Sequence, residues 1–148
     1  MPVVRNVSCE VWLYDIKASA AVGSLTARAE GIAAEIELDH GLPVDLIVVG
    51  DVTVTPTVDA LLMAVREATV NAAKHAQADL VSVYIEVEPK TITAFVRDKG
   101  VGFSAGEIGT DRRGIAMSIR DRITRVGGSA DLESSPGAGT EWELMVPR

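Results

Sequence analysis

Thr57 to Ala76 is the longest uninterrupted helical pattern in the chain, and its two faces restrict the fold more than any other feature. At about 100° per residue, Val58, Leu61, Leu62, Val65, Ala68, Ala72 and Ala76 share one face. Glu67, Asn71, Lys74 and His75 share the opposite face, flanked by the small Ala60 and Ala64, whose size is expected to leave space for a ligand. An apolar stripe of this length has to be buried against a second layer. Thr55 and Thr57 each offer a hydroxyl to cap the first turn.

The rest of the chain supplies that layer. Ser24 to His40 is a second predicted helix, with Leu25, Ala29, Ile32, Ala33 and Ile36 at three- and four-residue spacing, stopped by Gly41 with Pro43 beyond. Val44 to Val49 is a short apolar run expected to be a buried strand. Leu80 to Val87 and Ile92 to Asp98 alternate around Glu88-Pro89-Lys90, a hairpin signature. Lys99 to Arg113 is glycine-rich and polar, hence a predicted loop, and Ile115 to Val126 is a third helix ended by Gly127-Gly128. Ser129 to Glu133 and Thr140 to Val146 are the final strands, joined by a Ser-Pro-Gly-Ala-Gly turn. Residues 1–16 carry Trp12, Leu13 and Tyr14 without periodicity, and read either as a strand or as the end of a longer helix. The expected fold is a two-layer α/β sandwich, with helices on one face of a mixed, mostly antiparallel sheet, over residues 17–148.

Composition narrows the function classes. Hydrophobic residues make up 47% and aromatic ones 4%, so the core is built from Val, Ile, Leu and Ala. A formal net charge of −7 argues against a nucleic-acid partner, because phosphate backbones select basic surfaces. Arg112, Arg113, Arg120, Arg122 and Arg125 do cluster, and read equally as a solvated helix face or as a phosphate or partner contact. No apolar run approaches the roughly 18–20 residues needed to cross a bilayer, and no basic-then-apolar leader opens the chain. The chain is expected to be soluble, with no membrane contact of its own. Cys9 is the single cysteine, which excludes an internal disulfide and fits a reducing, cytoplasmic setting.

Four segments carry candidate chemistry. On the polar stripe, the Asn71 amide oxygen is a hard ligand suited to Mg²⁺, Lys74 is a point cation for phosphate, and Glu67 stands one turn before Asn71. Asp98-Lys-Gly-Val-Gly-Phe103 follows a strand: the carboxylate can accept from an exocyclic amine, and Gly100 and Gly102 let the backbone approach a flat ring. The alternative for this segment is an ordinary Asp-x-Gly turn. Arg113-Gly114 is expected to open a helix whose free N–H groups and dipole favour phosphate, or else to be a plain helix start. Gly137-Ala-Gly139-Thr140 lies between the last two strands and, alone, reads as a hairpin loop.

Together, in this order and spacing, these segments resemble the ATPase superfamily shared by histidine kinases, gyrase, the heat-shock chaperone and mismatch-repair ATPases, with its Bergerat fold. Glu67-Ala-Thr-Val-Asn71-Ala-Ala-Lys74-His75-Ala is similar to the family's N box, and Asp98-Lys-Gly100-Val-Gly102-Phe to its first glycine box. Gly114 resembles the opening of the second box, where Arg112-Arg113-Gly114 departs from the usual Gly-x-Gly, and Gly137-Ala-Gly139-Thr140 resembles the third. The resemblance covers roughly residues 9–147. It implies ATP and Mg²⁺ as cofactors, with Asn71 on the metal, Asp98 on the adenine amine and Glu67 as the catalytic residue. Lys74, His75, Arg113 and Gly114 would lie by the phosphates. Gly100, Gly102, Gly139 and Thr140 would shape the nucleotide pocket, with residues 104–113 as a lid.

Asn71-Ala-Ala-Lys74-His75-Ala and the short lid resemble sensor histidine kinases that pair with NarL-type response regulators. The run from Gly114 to Arg122, Gly127-Gly128 and Trp12-Leu-Tyr14 resemble the PspC-domain sensor kinases of actinobacteria. Residues 1–16 would then be a remnant of the linker from a dimerisation helix, and the parent kinase would be membrane-anchored. His75 belongs to the stripe, and His40, preceded by Asp39 and followed by Gly41, lacks the context of an acceptor. The phosphorylated histidine is therefore expected in trans, on a separate dimerisation domain, leaving this chain a monomer. The competing readings are an anti-sigma-factor serine kinase of the same superfamily and a non-catalytic ATP-binding module.

Overall fold

The computed structural model describes residues 2–5, 23–75, 79–100, 110–135 and 137–148. Its elements, in chain order, are β1 (Pro2–Arg5), α1 (Leu25–His40), β2 (Val44–Val49), α2 (Pro56–His75), β3 (Val81–Val87), β4 (Thr91–Asp98), α3 (Thr110–Arg125), β5 (Ser129–Ser135) and β6 (Gly139–Pro147). The strands form one six-stranded sheet in the order β1-β2-β3-β4-β6-β5. Only β2 and β3 run parallel, with α2 as the connection between them; the other neighbours are antiparallel. This is the mixed, mostly antiparallel α/β architecture expected from the sequence, and Pro2–Arg5 takes the strand alternative.

Helix boundaries follow local chemistry. Ser24 Oγ accepts from the Ala27 N–H at 3.1 Å to start α1, and the N–H of Gly41 donates to the Glu37 carbonyl to end it. Of the two threonines offered for α2, Thr55 is the cap: its Oγ1 accepts from Val58 N–H at 3.2 Å, with Pro56 in the first helical position. α3 ends in a Schellman motif, Gly127 N–H bonding to the Thr124 carbonyl and Gly128 N–H to that of Ile123. Gly127 sits at φ +82°, which a side chain would strain.

Three rows of side chains on the helix-facing side of the sheet run the whole way from β2 to β5. Val48, Ile85, Ala94, Leu144 and Ala130 form one row, and Leu46, Val83, Val96, Trp142 and Leu132 the next. Against them lie Leu25, Ala29, Ile32, Ala33 and Ile36 of α1, Val58, Leu61, Leu62, Val65, Ala68 and Ala72 of α2, and Ile119 and Ile123 of α3. Full burial of each large aliphatic side chain contributes about 1.5–3 kcal/mol, so this layer contact is what secures α2 to the sheet. The third row, Val44, Val81, Asp98, Thr140 and Ser134, is apolar for two strands and polar for three.

Two expectations need correction. α3 begins at Thr110, one turn before the predicted start, because Thr-Asp-Arg-Arg holds no helix breaker while periodicity registers only from the apolar Ile115. Gly114 therefore lies within the helix, not at its opening, and the unpaired N–H groups of the first turn belong to residues 110–113. Ala64 does not leave room for a ligand. It is fully buried, because α2 is covered by α3 as well as by the sheet.

Candidate functional site

The polar stripe of α2 faces α3. The Ser118 hydroxyl donates to Glu67 Oε2 at 3.3 Å, and the Arg122 guanidinium stands 3.9 Å from the same oxygen. Both groups come from successive turns of α3, so one carboxylate oxygen of Glu67 is held by the neighbouring helix. The helices pass in opposite senses. Beyond Glu67 the first turns of α2 and the last turns of α3 leave a groove of about 420 Å³, bordered by Ala60, Met63, Arg122, Arg125 and Val126. Ala60 thus does border open space, as its size suggested.

One turn on, Asn71 presents the most informative atom of the stripe. Its Oδ1 is buried and has no hydrogen-bond partner among the described residues. Such an orphan costs about 1–3 kcal/mol in desolvation. Lys74, on the next turn, is exposed. The side chain of His75 lies outside the described residues, as do Gly102, most of the predicted lid and the side chain of Arg113.

Chain topology brings a second carboxylate to this end. α2 runs out toward the start of β3, and the last residue of β4, Asp98, pairs with the first residue of β3, Val81. Asp98 is 5% exposed, next along its row to the core residues Val81 and Val44, and its Oδ1 accepts from the Gly100 N–H at 2.9 Å. The Asp-x-Gly turn is therefore present, and it orients a buried acid. Across the row, Asp98 pairs with Thr140 and Thr140 with Ser134.

Gly139 explains how the third glycine segment contributes. It is buried at φ +81°, and a Cβ there would fall 2.2 Å from the Asp98 carbonyl oxygen. No side chain fits: the backbone of Gly139 is pressed onto the Asp98–Lys99 peptide and fixes the end of β4. Ser134 Oγ donates to the Gly139 carbonyl at 2.9 Å and lies 3.0 Å from Thr140 Oγ1. A hollow of about 220 Å³ adjoins these strand ends, lined in part by the outward row Arg97, Glu141 and Glu133.

The structure thus gathers Glu67 and Asn71 on one helix and Asp98, Gly100, Gly139 and Thr140 at one sheet end. Three residues that the sequence reading did not assign to the site join them. Ser134 is visible only once the register of β4, β6 and β5 is known. Ser118 and Arg122 stand 51 and 55 positions after Glu67, and only the helix packing reveals the contact. Among the described residues no group of three or more His, Cys, Asp or Glu side chains is arranged to hold a metal.

A family model described as "Histidine kinase-, DNA gyrase B-, and HSP90-like ATPase" matches residues 57–148. The oxygen sensor histidine kinase NreB of Staphylococcus carnosus is 36% identical over 86 residues, covering 56% of this chain and 24% of NreB. The nitrate/nitrite sensor protein NarQ of Escherichia coli is 33% identical over 81 residues, 54% of this chain and 14% of NarQ. The chain therefore spans a quarter or less of the length of these relatives. Among solved structures, the ATP binding domain of PrrB from Mycobacterium tuberculosis superposes with a TM-score of 0.67 at 25% identity, covering 84% of this chain and 93% of that one. The histidine kinase domain of the blue-light activated histidine kinase of Erythrobacter litoralis EL346 gives 0.70 at 20% identity over 93% of this chain and 76% of that one, a likeness of fold. With the match running from the first turn of α2 to the last residue, this chain belongs to the family of histidine kinase-, DNA gyrase B- and HSP90-like ATPases.

Proposed function

We propose that this chain is the ATP-binding catalytic domain of a two-component sensor histidine kinase, and that it transfers the γ-phosphoryl group of ATP to a histidine supplied in trans by a dimerisation domain. The observation that carries the reading is the buried, unpartnered Oδ1 of Asn71, one turn from Glu67 on the helix that the family model covers. An orphaned hard oxygen is what a site for Mg²⁺ with bound phosphates requires, since that ion takes one or two protein oxygens and fills its remaining positions from phosphate and water. When bound, the ion would neutralise phosphate charge.

The protein's own residues would then do three things. Asp98, oriented by the Gly100 N–H, accepts from the adenine amine, with Gly102, Gly139 and Thr140 closing the base pocket. Lys74, His75, Arg113 and Gly114 lie along the phosphates, Arg113 contributing one of the free N–H groups of the first turn of α3. Glu67, anchored through Oε2, orients or deprotonates the incoming imidazole; that nitrogen attacks the γ-phosphorus as the bond to the β-phosphate oxygen breaks and ADP leaves. Positioning and electrostatics account for most of such a reaction.

The finer assignment, a kinase paired with a NarL-type response regulator, rests on the run Asn71-Ala-Ala-Lys74-His75-Ala and the short predicted lid, and the PspC-type subclass on the motif run from Gly114 to Gly128 and on Trp12-Leu-Tyr14. In the same reading residues 1–16 derive from the linker of a dimerisation helix, with Pro2–Arg5 added as an edge strand to the sheet of the catalytic domain, residues 17–148, and the isolated chain is a monomer. Among the described residues no helix is long and apolar enough to cross a membrane. A cytoplasmic domain of a membrane-anchored parent is the proposed setting.

Calorimetric titration with a non-hydrolysable ATP analogue tests the reading. Saturable binding that tightens with Mg²⁺ is expected, and lost in Asn71→Ala. Because Oδ1 is unsatisfied without ligand, Asn71→Ala should also leave the free protein as stable as the parent, or more stable by up to about 1–3 kcal/mol. No binding at millimolar ligand, or unchanged affinity in Asn71→Ala, would overturn it.

A further inference from the structure

The polar row at the sheet end has a direction that the positions of its heavy atoms fix. A serine hydroxyl carries one proton and can otherwise only accept. The Gly139 carbonyl, 2.9 Å from Ser134 Oγ, can only accept, so the serine proton goes there. The second contact, 3.0 Å between Ser134 Oγ and Thr140 Oγ1, must then use the proton of Thr140. Toward the rest of the site Thr140 Oγ1 is left with lone pairs. The arrangement is held because Gly139, at φ +81° and pressed onto the Asp98–Lys99 peptide, cannot turn its carbonyl away. Next along the row stands the carboxylate of Asp98, which as an anion also only accepts.

We propose that Ser134 is a positioning residue that sets base specificity: by taking the Thr140 proton, it makes the base-reading end of the site acceptor-only. The inference rests on the nucleotide site proposed above and extends it to a residue outside that site's own contacts. A purine with a 6-amino group brings N–H donors to the row. One with a 6-oxo group turns lone pairs toward the lone pairs opposite its 6-position, and its donor moves to the adjacent N1–H, out of register with the row. Sites built on such pairing reject the mismatched analogue strongly. Without Ser134, the Thr140 hydroxyl rotates freely and can donate to a 6-oxo group.

The test is the ratio of affinities for ADP and inosine diphosphate, whose bases exchange donor and acceptor at the 6-position and at N1, measured by calorimetry with Mg²⁺ for the parent chain, Ser134→Ala, Ser134→Thr and Thr140→Val. The parent should prefer ADP. Ser134→Ala should lower the ratio on the order of tenfold, partly through tighter binding of inosine diphosphate, and Ser134→Thr should keep it. Thr140→Val should lower it too. A merely structural role for Ser134 would weaken both nucleotides alike and leave the ratio unmoved, and that result overturns the inference. Should Ser134→Ala not fold, Ser134→Cys, which keeps the bulk and only a weak donor, gives the same comparison. Failure of the parent chain to bind either nucleotide would instead bring down the nucleotide-site reading, and this inference with it.

Discussion

Two neighbouring rows on the helix-facing side of the sheet use the same strands in the same register, yet serve opposite ends. Leu46, Val83, Val96, Trp142 and Leu132 are apolar throughout and are covered by helices. One step along each strand pair, Val44 and Val81 continue that pattern, while Asp98, Thr140 and Ser134 abandon it. The alternation of period two is intact in both; what changes is the chemistry at positions whose burial the fold has already fixed. A buried acid in such a position is costly unless something meets it. The site is thus grafted onto the last rung of a core that is complete without it.

The comparison can be broken at several strengths. The largest effect is expected in the apolar rows: Leu144→Ala should lower stability by about 2–5 kcal/mol in urea unfolding, while nucleotide affinity of the folded fraction stays unchanged. Gly139→Ala comes next, because it belongs to both functions. Its positive φ alone costs roughly 1–3 kcal/mol, and displacement of the Asp98 peptide should cut nucleotide affinity as well. In Asp98→Asn the two functions should separate: affinity for adenine nucleotide falls on the order of tenfold or more, while stability changes by about 1 kcal/mol or less. The smallest change is Arg122→Gln, which removes a half-exposed charge from Glu67 and should move stability by about 0–1 kcal/mol, diminishing further in high salt. Equal losses of stability from Asp98→Asn and Leu144→Ala would show that the terminal row is core after all.

Much of this was legible in the sequence because the signals were local. Ser24 and Gly41 bracket α1 as caps, the apolar phase of α2 predicts the burial of Val58, Leu61, Leu62, Val65, Ala68 and Ala72, and Glu88-Pro89-Lys90 marks the hairpin. Asn71 and Asp98 stood out because an amide and an acid occupy patterned positions. The start of α3 was not legible, since its first turn carries no apolar residue and periodicity is blind to it. Nor was the smallness of Ala64, which reflects α3 packing on the far side of α2. Ser134, Ser118 and Arg122 depend on register or on helix-to-helix contact across tens of residues, and neither is written in spacing.

Gly139 carries a consequence for how such a domain could lose its chemistry. A single substitution at Asp98 or Asn71 would silence nucleotide binding and leave a sound, folded protein, free to be kept for its contacts alone. Any substitution at Gly139 drives a side chain into the peptide that Asp98 ends, so the fold suffers along with the ligand. Inactive descendants of this chain should therefore be told apart by an altered acid or amide beside an intact glycine, and a sequence lacking the glycine would have had to rebuild the end of its sheet.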